Sequence, residues 1–472
     1  MSIRFGTDGW RGIIGADFTF DNLARLGRGI VNVLPEIKSG KGIVIGYDTR
    51  FLSREFAYFL AEYLGAEVSS IGLFSQPCPT PVLSYYTKKR KAALGIMLTA
   101  SHNPFYYNGV KFKMGFGGPP VDDFITRLEE QIPQHPVPYS LIIPELSERI
   151  NKNPRVEMIE DFQEYFDHIF QYLDNEKLSE FKGSILYNAM NGSGLSLMPM
   201  LLKKLDITAG YERCEINPLF HQEQPEPIPH LLQDFSRKIP EEGYSLGIAT
   251  DGDADRVGIF DEKGQFVDIF VLTALLYEYL VSVKNFKGGI AYSASLVDIA
   301  GKISAKNGYP AEEVPVGFKH VAKKLHEPNF LMAAEESGGI GYNFHIPERD
   351  GIFSALLLLE MMTYYGKPVS QIVNEFLLKW GNPSYGRIDF YSPSEILQLN
   401  FRRLKENVPE RIGDITITHA KEIDGIKWYF DGGWVLMRIS QTEPVGRIYA
   451  TASSQDEVRK ILALCRELLS RR

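Results

Sequence analysis

The chain has 472 residues, too many for one hydrophobic core, so three or four domains are expected. Hydrophobic content of 44% and charged content of 23% are those of a globular protein in water, and a net charge of −8 argues against a general nucleic-acid or membrane-surface binder. Cys78, Cys214 and Cys465 stand far apart with no CxxC pair, which argues against a disulfide scaffold or structural zinc; MSIRFGTDGWRG has no apolar signal segment, so a reducing, cytoplasmic location is expected.

The segment Phe5–Gly12 (FGTDGWRG) reads as an adaptable glycine-rich stretch ahead of any regular element, with Arg11 offering a fork for phosphate. A helix over Leu23–Leu34, a buried strand over Lys41–Tyr47 and a helix over Ser53–Leu64 follow. Strand followed by helix predicts βαβ units and a parallel or mixed sheet. Leu94–Leu98 is the next apolar strand; it breaks into the polar loop Thr99–Pro104 (TASHNP) and returns as a short strand over Val110–Phe112. In that loop Ser101 can serve as nucleophile or phosphate carrier and His102 can pair with phosphate or move a proton, while Asn103 and Pro104 fix the turn. An ordinary strand–turn–strand is the rival reading of these residues. Pro119 begins an amphipathic helix running through Asp122–Ile132, and Gln131–Pro144 holds Pro133, Pro136, Pro138 and Pro144, the signature of a linker. Val156–Leu173 carries a long helical pattern, Gly183–Tyr187 a strand, and Phe220–Pro229 a polar, proline-rich loop. The strand Tyr244–Thr250 runs straight into Asp251–Arg256 (DGDADR). The most apolar helical run, around Phe353–Met362, contains Glu360 and is too short to span a bilayer.

An internal repeat organises these pieces. Leu94-Gly95-Ile96 leads to Thr99-Ala100-Ser101, Leu246-Gly247-Ile248 to Thr250-Asp251, and Phe330-Leu331-Met332 to Ala334-Glu335-Glu336-Ser337. Each loop is followed by a return strand (Val110–Phe112, Val257–Phe260, Tyr342–Phe344) and preceded by a glycine-led strand at Gly42, Gly183 or Gly289. The repeat predicts three related α/β domains, each presenting a loop from the same strand end. After the turn-rich Trp380–Tyr385 the pattern changes to strands at Gly386–Phe390, Ile415–His419, Lys427–Phe430, Trp434–Ile439 and Arg447–Ala452, then a helix at Asp456–Leu469. That is a smaller α+β domain. The expected boundaries are 1–150, 151–263, 264–381 and 382–472.

DGDADR is the sharpest chemical signal. Asp251, Asp253 and Asp255 can converge on one hard cation, and oxygen-only ligands suit Mg²⁺ or Ca²⁺. An EF-hand is excluded because its sixth position, where glycine is required, is Arg256, and the flanks read as strands. A solvated acidic turn is disfavoured, since bare carboxylates this close repel. Three donors are too few for octahedral Mg²⁺; a phosphate oxygen on Ser101 would add a ligand, and a phosphoserine carries roughly −1.5 to −2 charges that the ion would offset. Arg256 could hold the same phosphate. Glu335, Ser337 and their neighbours can grip vicinal sugar hydroxyls or form a plain turn. Arg438–Arg447 (RISQTEPVGR) offers Arg438, Ser440, Thr442, backbone N–H groups and Arg447 as a phosphate cradle without being a nucleotide P-loop. Lys111 and Lys319 are candidate fixed charges or proton shuttles; His320 and His345 lie near the loops and read more readily as structural.

Taken in order, FGTDGWRG, TASHNP, DGDADR, EESGG and RISQTEP resemble the α-D-phosphohexomutase superfamily over nearly the whole chain, on the phosphoglucomutase/phosphomannomutase side. The resemblance implies three related α/β domains with mixed sheets plus a C-terminal α+β domain around a central cleft, one loop from each. It implies Ser101 as phosphoserine, Mg²⁺ on Asp251, Asp253, Asp255 and the phosphoryl group of Ser101, a sugar site at Glu335 and Ser337 with Lys319 nearby, and a distal phosphate site at Arg438, Ser440, Thr442 and Arg447. Arg11, His102, Lys111 and Arg256 match positions near the reacting phosphate, with Lys111 expected as general acid or base and His102 as the group that positions the phosphate. The implied activity is interconversion of hexose 1- and 6-phosphates, glucose or mannose, through a bisphosphorylated sugar, with hexose 1,6-bisphosphate as activator. A phosphosugar is the expected partner, to a monomer or dimer. Gly339 stands where several subfamilies place His, which argues against a phosphoglucosamine mutase; that activity, a phosphopentose mutase, a phosphosugar phosphatase and a non-catalytic sugar-phosphate binder are the alternatives.

Overall fold

Short apolar runs rich in Ile, Val and Leu become the central strands of three sheets covered by helices. The computed structural model describes residues 3–6, 8–36, 41–120, 123–439 and 445–471. The first sheet has six strands in the order Trp10–Ile13, Tyr107–Met114, Leu94–Leu98, Ile43–Tyr47, Ile71–Phe74, Val156–Ile159. Ile43–Tyr47 and Leu94–Leu98 pair in parallel, Ile43 opposite Leu94 and Tyr47 opposite Leu98, and every residue of both is buried. A strand buried on both faces needs a continuous apolar run, which these are. Helices Ser53–Gly65 and Thr80–Lys89 cover the sheet, and Phe20–Val33 packs against Ser53–Gly65.

The second sheet runs Val257–Phe260, Leu246–Thr250, Ser184–Asn188, Thr208–Glu212, and the third Ala311–Val314, Gly289–Ser293, Phe330–Ala334, Ile340–Tyr342, Ile346–Arg349. The same unit recurs in all three. A central strand lies parallel to its glycine-led partner and antiparallel to its return strand, with Leu98 opposite Val110, Thr250 opposite Val257 and Ala334 opposite Ile340. The fourth sheet is antiparallel, Ser384–Tyr391, Val445–Ala452, Gly433–Ile439, Ile426–Phe430, His419–Glu422, backed by the helix Gln455–Ser470.

Four local expectations are corrected. The long helix over Val156–Leu173 is a strand, Val156–Ile159, followed by a helix, Gln163–Ile169; the strand adds to the first sheet beside Ile71–Phe74, beyond the boundary expected at 150. Val-Glu-Met-Ile is only partly buried until Ile159, as suits an edge strand, and the helical periodicity begins only after it. Within FGTDGWRG, Trp10–Ile13 is already a strand, because Trp10 packs on Phe18 under the sheet edge. The return strand read at Val110–Phe112 extends over Tyr107–Met114. Ile415–His419 splits into Ile415–Thr416 and His419–Glu422, which belong to different sheets.

The helix Gly351–Tyr365 is apolar all round because it lies in the main core; Glu360 is buried there, accepting from Tyr279 (2.7 Å), Lys284 (2.6 Å) and the Asp174 N–H (2.7 Å). Among the described residues no helix is long and apolar enough to cross a membrane. Two loops meet backbone to backbone: a Cβ on Gly252 would lie 2.4 Å from the Ser101 carbonyl oxygen, and one on Gly192 2.7 Å from that of Asp251. Gly252→Ala is therefore expected to lower stability by about 1–3 kcal/mol, read as a drop in the denaturation midpoint beside wild type.

Candidate active site

Three repeated loops leave the carboxyl ends of their central strands, the usual location of a ligand site in α/β sheets. They converge on a cleft of about 720 Å³, to which the N-terminal segment and the fourth sheet also contribute; Arg11, His102, Arg256, Ser337, Arg438 and Arg447 are among its lining residues. Ser101 and all three aspartates are fully buried beside it.

Ser101 has a left-handed backbone, φ 51°. Its Oγ donates to Asp251 Oδ2 at 2.8 Å, and His102 Nδ1 lies 3.5 Å from the same Oγ. Asp251, Asp253 and Asp255 bring carboxylate oxygens within 4.8 Å of one another. Burial and the neighbouring Asp255 and Asp253 push the Asp251 carboxyl well up. Burial also opposes ionisation of Asp253, but Lys111 and Thr80 outweigh it and hold that carboxyl below the usual range. Lys111 Nζ reaches Asp253 Oδ2 (2.8 Å), Asp255 Oδ2 (3.0 Å) and Asp8 Oδ2 (2.9 Å). Burial would lower its pKa, yet these carboxylates raise it above that of a free lysine and hold Lys111 protonated in this arrangement. His102 is held well below its usual pKa by burial and then by Arg256, Arg11 and Lys111, leaving a neutral imidazole near pH 7.

The oxygens Asp253 Oδ1 and Asp255 Oδ1 are buried without a hydrogen-bond partner. Orphaned carboxylate oxygens in an all-oxygen cluster fit a hard divalent cation. Arg11 bonds Asn103 and lies 3.5 Å from Asp8, while Arg256 sits 3.9 Å from both Asp251 and Asp255 and 3.4 Å from Glu226. Both arginines face the cleft.

In the third loop Glu335 accepts from the Gly317 N–H (3.1 Å), and Glu336 accepts from Ser293 and Ser295. Burial pushes the Glu335 carboxyl up to about 7, against the pull of Arg349 at 3.4 Å. Ser337 lines the cleft, whereas Lys319 is exposed and the cleft takes its neighbours Val316, Gly317 and Phe318 instead. Arg438 is paired to Asp424 (2.5 Å) and Arg447 to Asp389 (3.3 Å); Ser440 and Thr442 lie outside the described residues. His345 is structural, buried with Nε2 2.7 Å from Asp350, the N-cap of the helix Gly351–Tyr365, and His320 is part-buried with a lowered pKa through burial and Lys319. Sequence reasoning missed Asp8, Thr80 and Arg349. Arg349 spans three loops, touching Asp255 (2.7 Å), Asp8 (2.9 Å) and Glu335. Asp8 was visible as the carboxylate inside FGTDGWRG, but nothing local marks Thr80 or Arg349.

This arrangement of four sheets and a metal-ready serine cleft defines a phosphosugar mutase fold. Phosphoglucomutase/phosphomannomutase α/β/α domains I, II and III match residues 2–136, 163–264 and 271–379, and the C-terminal domain of the same family matches residues 399–468. The chain belongs to the phosphoglucomutase/phosphomannomutase family of the α-D-phosphohexomutases, which are isomerases. It is 27% identical to the phosphoglucomutase/phosphomannomutase of Thermococcus kodakarensis over 99% of both chains. It is 28% identical to the phosphoglucosamine mutase of Carboxydothermus hydrogenoformans, covering 99% of this chain and 100% of that one, and most of the other curated relatives share that second name. A solved Thermus thermophilus protein, provisionally named a phosphomannomutase, is 33% identical with a TM-score of 0.86 over 99% of this chain and 100% of that one.

With its pKa raised from 4.5 to about 7, Glu335 binds its proton more tightly in the folded state, so its contribution to stability falls as pH rises through that window. Glu335→Gln should match wild type below the window and exceed it by about 1–3 kcal/mol above it, measured as denaturation midpoint against pH.

Proposed function

We propose that the protein interconverts hexose 1-phosphate and hexose 6-phosphate by way of a phosphoryl group carried on Ser101. The observation that carries this reading is the Ser101 hydroxyl bonded to Asp251 at 2.8 Å inside a buried carboxylate cluster with orphaned oxygens. Phosphorylated Ser101 gives its phosphoryl group to the free hydroxyl of the bound hexose phosphate: the Oγ–P bond breaks and the sugar O–P bond forms. The hydroxyl proton ends on the departing serine oxygen; Lys111, the expected general acid or base, and His102, whose Nδ1 is 3.5 Å from Oγ, are the residues proposed to carry it. The bisphosphorylated sugar then turns in the cleft and returns its other phosphoryl group to Ser101. Arg11 and Arg256 hold the group in transfer; Arg438, Ser440, Thr442 and Arg447 hold the phosphate that does not react; Glu335 and Ser337 bind the ring hydroxyls. Mg²⁺ on Asp251, Asp253 and Asp255, with an oxygen of the Ser101 phosphoryl group, would neutralise charge on that group. Hexose 1,6-bisphosphate would prime an unphosphorylated Ser101.

For the sugar, the names of most relatives favour glucosamine phosphate, against which Gly339 argued from sequence, over glucose and mannose phosphates. Glucose or mannose phosphate is the second reading, supported by the Thermus relative at 33% identity.

The test is a panel of glucosamine, glucose, mannose and pentose 1-phosphates with Mg²⁺ and bisphosphate. Turnover should be fastest with glucosamine phosphate, and Ser101→Ala should lose at least about a thousandfold in kcat while unfolding like wild type. Full activity in that variant, or sustained release of free phosphate equal to substrate loss, overturns the reading.

A further inference from the structure

We propose that Arg50 is the positioning residue of the serine loop, an inference that rests on the Ser101 reading for its kinetic consequence but not for its geometry. Arg50 follows the strand Ile43–Tyr47 in the sequence Tyr-Asp-Thr-Arg and is 3% exposed. Its guanidinium collects four backbone carbonyls of the loop: one terminal nitrogen donates to Ser101 O and Asn103 O, both at 2.6 Å, and the other to Pro104 O (2.9 Å) and Tyr107 O (3.1 Å). Nε faces Asp48 Oδ2 at 3.1 Å. The same Asp48 accepts from Ser53 (2.7 Å) and Thr99 (2.6 Å), and the Thr99 hydroxyl oxygen accepts the Ser101 N–H (2.9 Å). One buried Asp–Arg pair thus holds Ser101 from both sides of its peptide unit. A non-glycine residue keeps a left-handed φ only where its surroundings over-determine it, and at Ser101, φ 51°, this pair restrains the peptide on both sides, together with the Gly252 backbone and Asp251.

The free face of the guanidinium is covered from the second unit. The Phe220 ring lies 5.0 Å from Arg50 Cζ, within a turn where Phe220, His221 and Gln222 all have positive φ (47°, 54° and 63°). Beside it the Thr49 hydroxyl donates to Asn191 O. The aim of Ser101 at Asp251 therefore depends on a planar, five-donor fork clamped between two units. A lysine, with three donors on one nitrogen, cannot serve four carbonyls spread along the loop.

The experiment compares wild type, Arg50→Lys and Phe220→Ala by kinetics on the turned-over hexose phosphate and by backbone hydrogen–deuterium exchange. Arg50→Lys should lower kcat by at least about 30-fold with KM within about threefold, since substrate contacts stay in place, and exchange over residues 101–107 should rise about tenfold with the rest of the first sheet unchanged. A folded Arg50→Lys protein with kcat within about threefold of wild type and unchanged exchange overturns the proposal. Should that variant fail to fold, Phe220→Ala, which keeps Arg50, decides: faster exchange in the same segment with lower kcat supports the proposal, and wild-type values in both overturn it. A wild type without mutase activity sinks the Ser101 reading alone, because exchange still reports on Arg50.

Discussion

Three carboxylates crowded into a dry loop repel one another, and everything around the cleft answers that repulsion. The metal loop carries only Arg256 as a charge of the opposite sign, held 3.9 Å from Asp251 and Asp255. The closer cations come from elsewhere: Lys111 from the first sheet and Arg349 from the third. Asp8 in turn joins those two cations, each at 2.9 Å. In a low-dielectric setting such pairs are worth having only if geometry is good and the remaining oxygens are satisfied; here two remain unsatisfied, which is the opening a divalent cation fits.

The threefold repeat explains how this was assembled. Each unit offers the same strand–loop–return geometry, so the loops arrive at one place by symmetry of construction, while their chemistry has diverged into complementary roles. The first copy carries hydroxyl, imidazole and ammonium, the second carboxylates, the third a carboxylate pair with a guanidinium at the end of the strand Ile346–Arg349. The fourth sheet, antiparallel and unrelated, adds Arg438 and Arg447 from adjacent strands, paired opposite one another across the ladder.

Much of this was legible in the sequence because it was local. Uninterrupted apolar runs announced the buried strands, DGDADR announced an oxygen cluster through its own spacing, and Ser101 stood out as the one hydroxyl beside a histidine in the three repeated loops. What could not be read depends on contacts between distant segments. Arg349 looks like the residue before a helix N-cap until the fold brings Asp255 and Asp8 to it. Lys111 gives no local hint of the three carboxylates around it, two of which come from the metal loop far along the chain. Val156–Ile159 was lost inside a longer helical pattern because four residues of an edge strand carry too little periodicity to compete with the helix after it. Lys319, adjacent in sequence to cleft residues, points the other way because a helix turns its successive side chains by a large angle.

The left-handed backbone at residue 101 also bears on why the chain uses serine there. Threonine offers an equivalent hydroxyl, but a β-branched side chain at positive φ crowds its own backbone far more than serine does. Geometry, rather than the reactivity of the oxygen, thus excludes the larger alcohol, and the identity of this hydroxyl is a by-product of how sharply the chain must turn to reach its neighbour across the cleft.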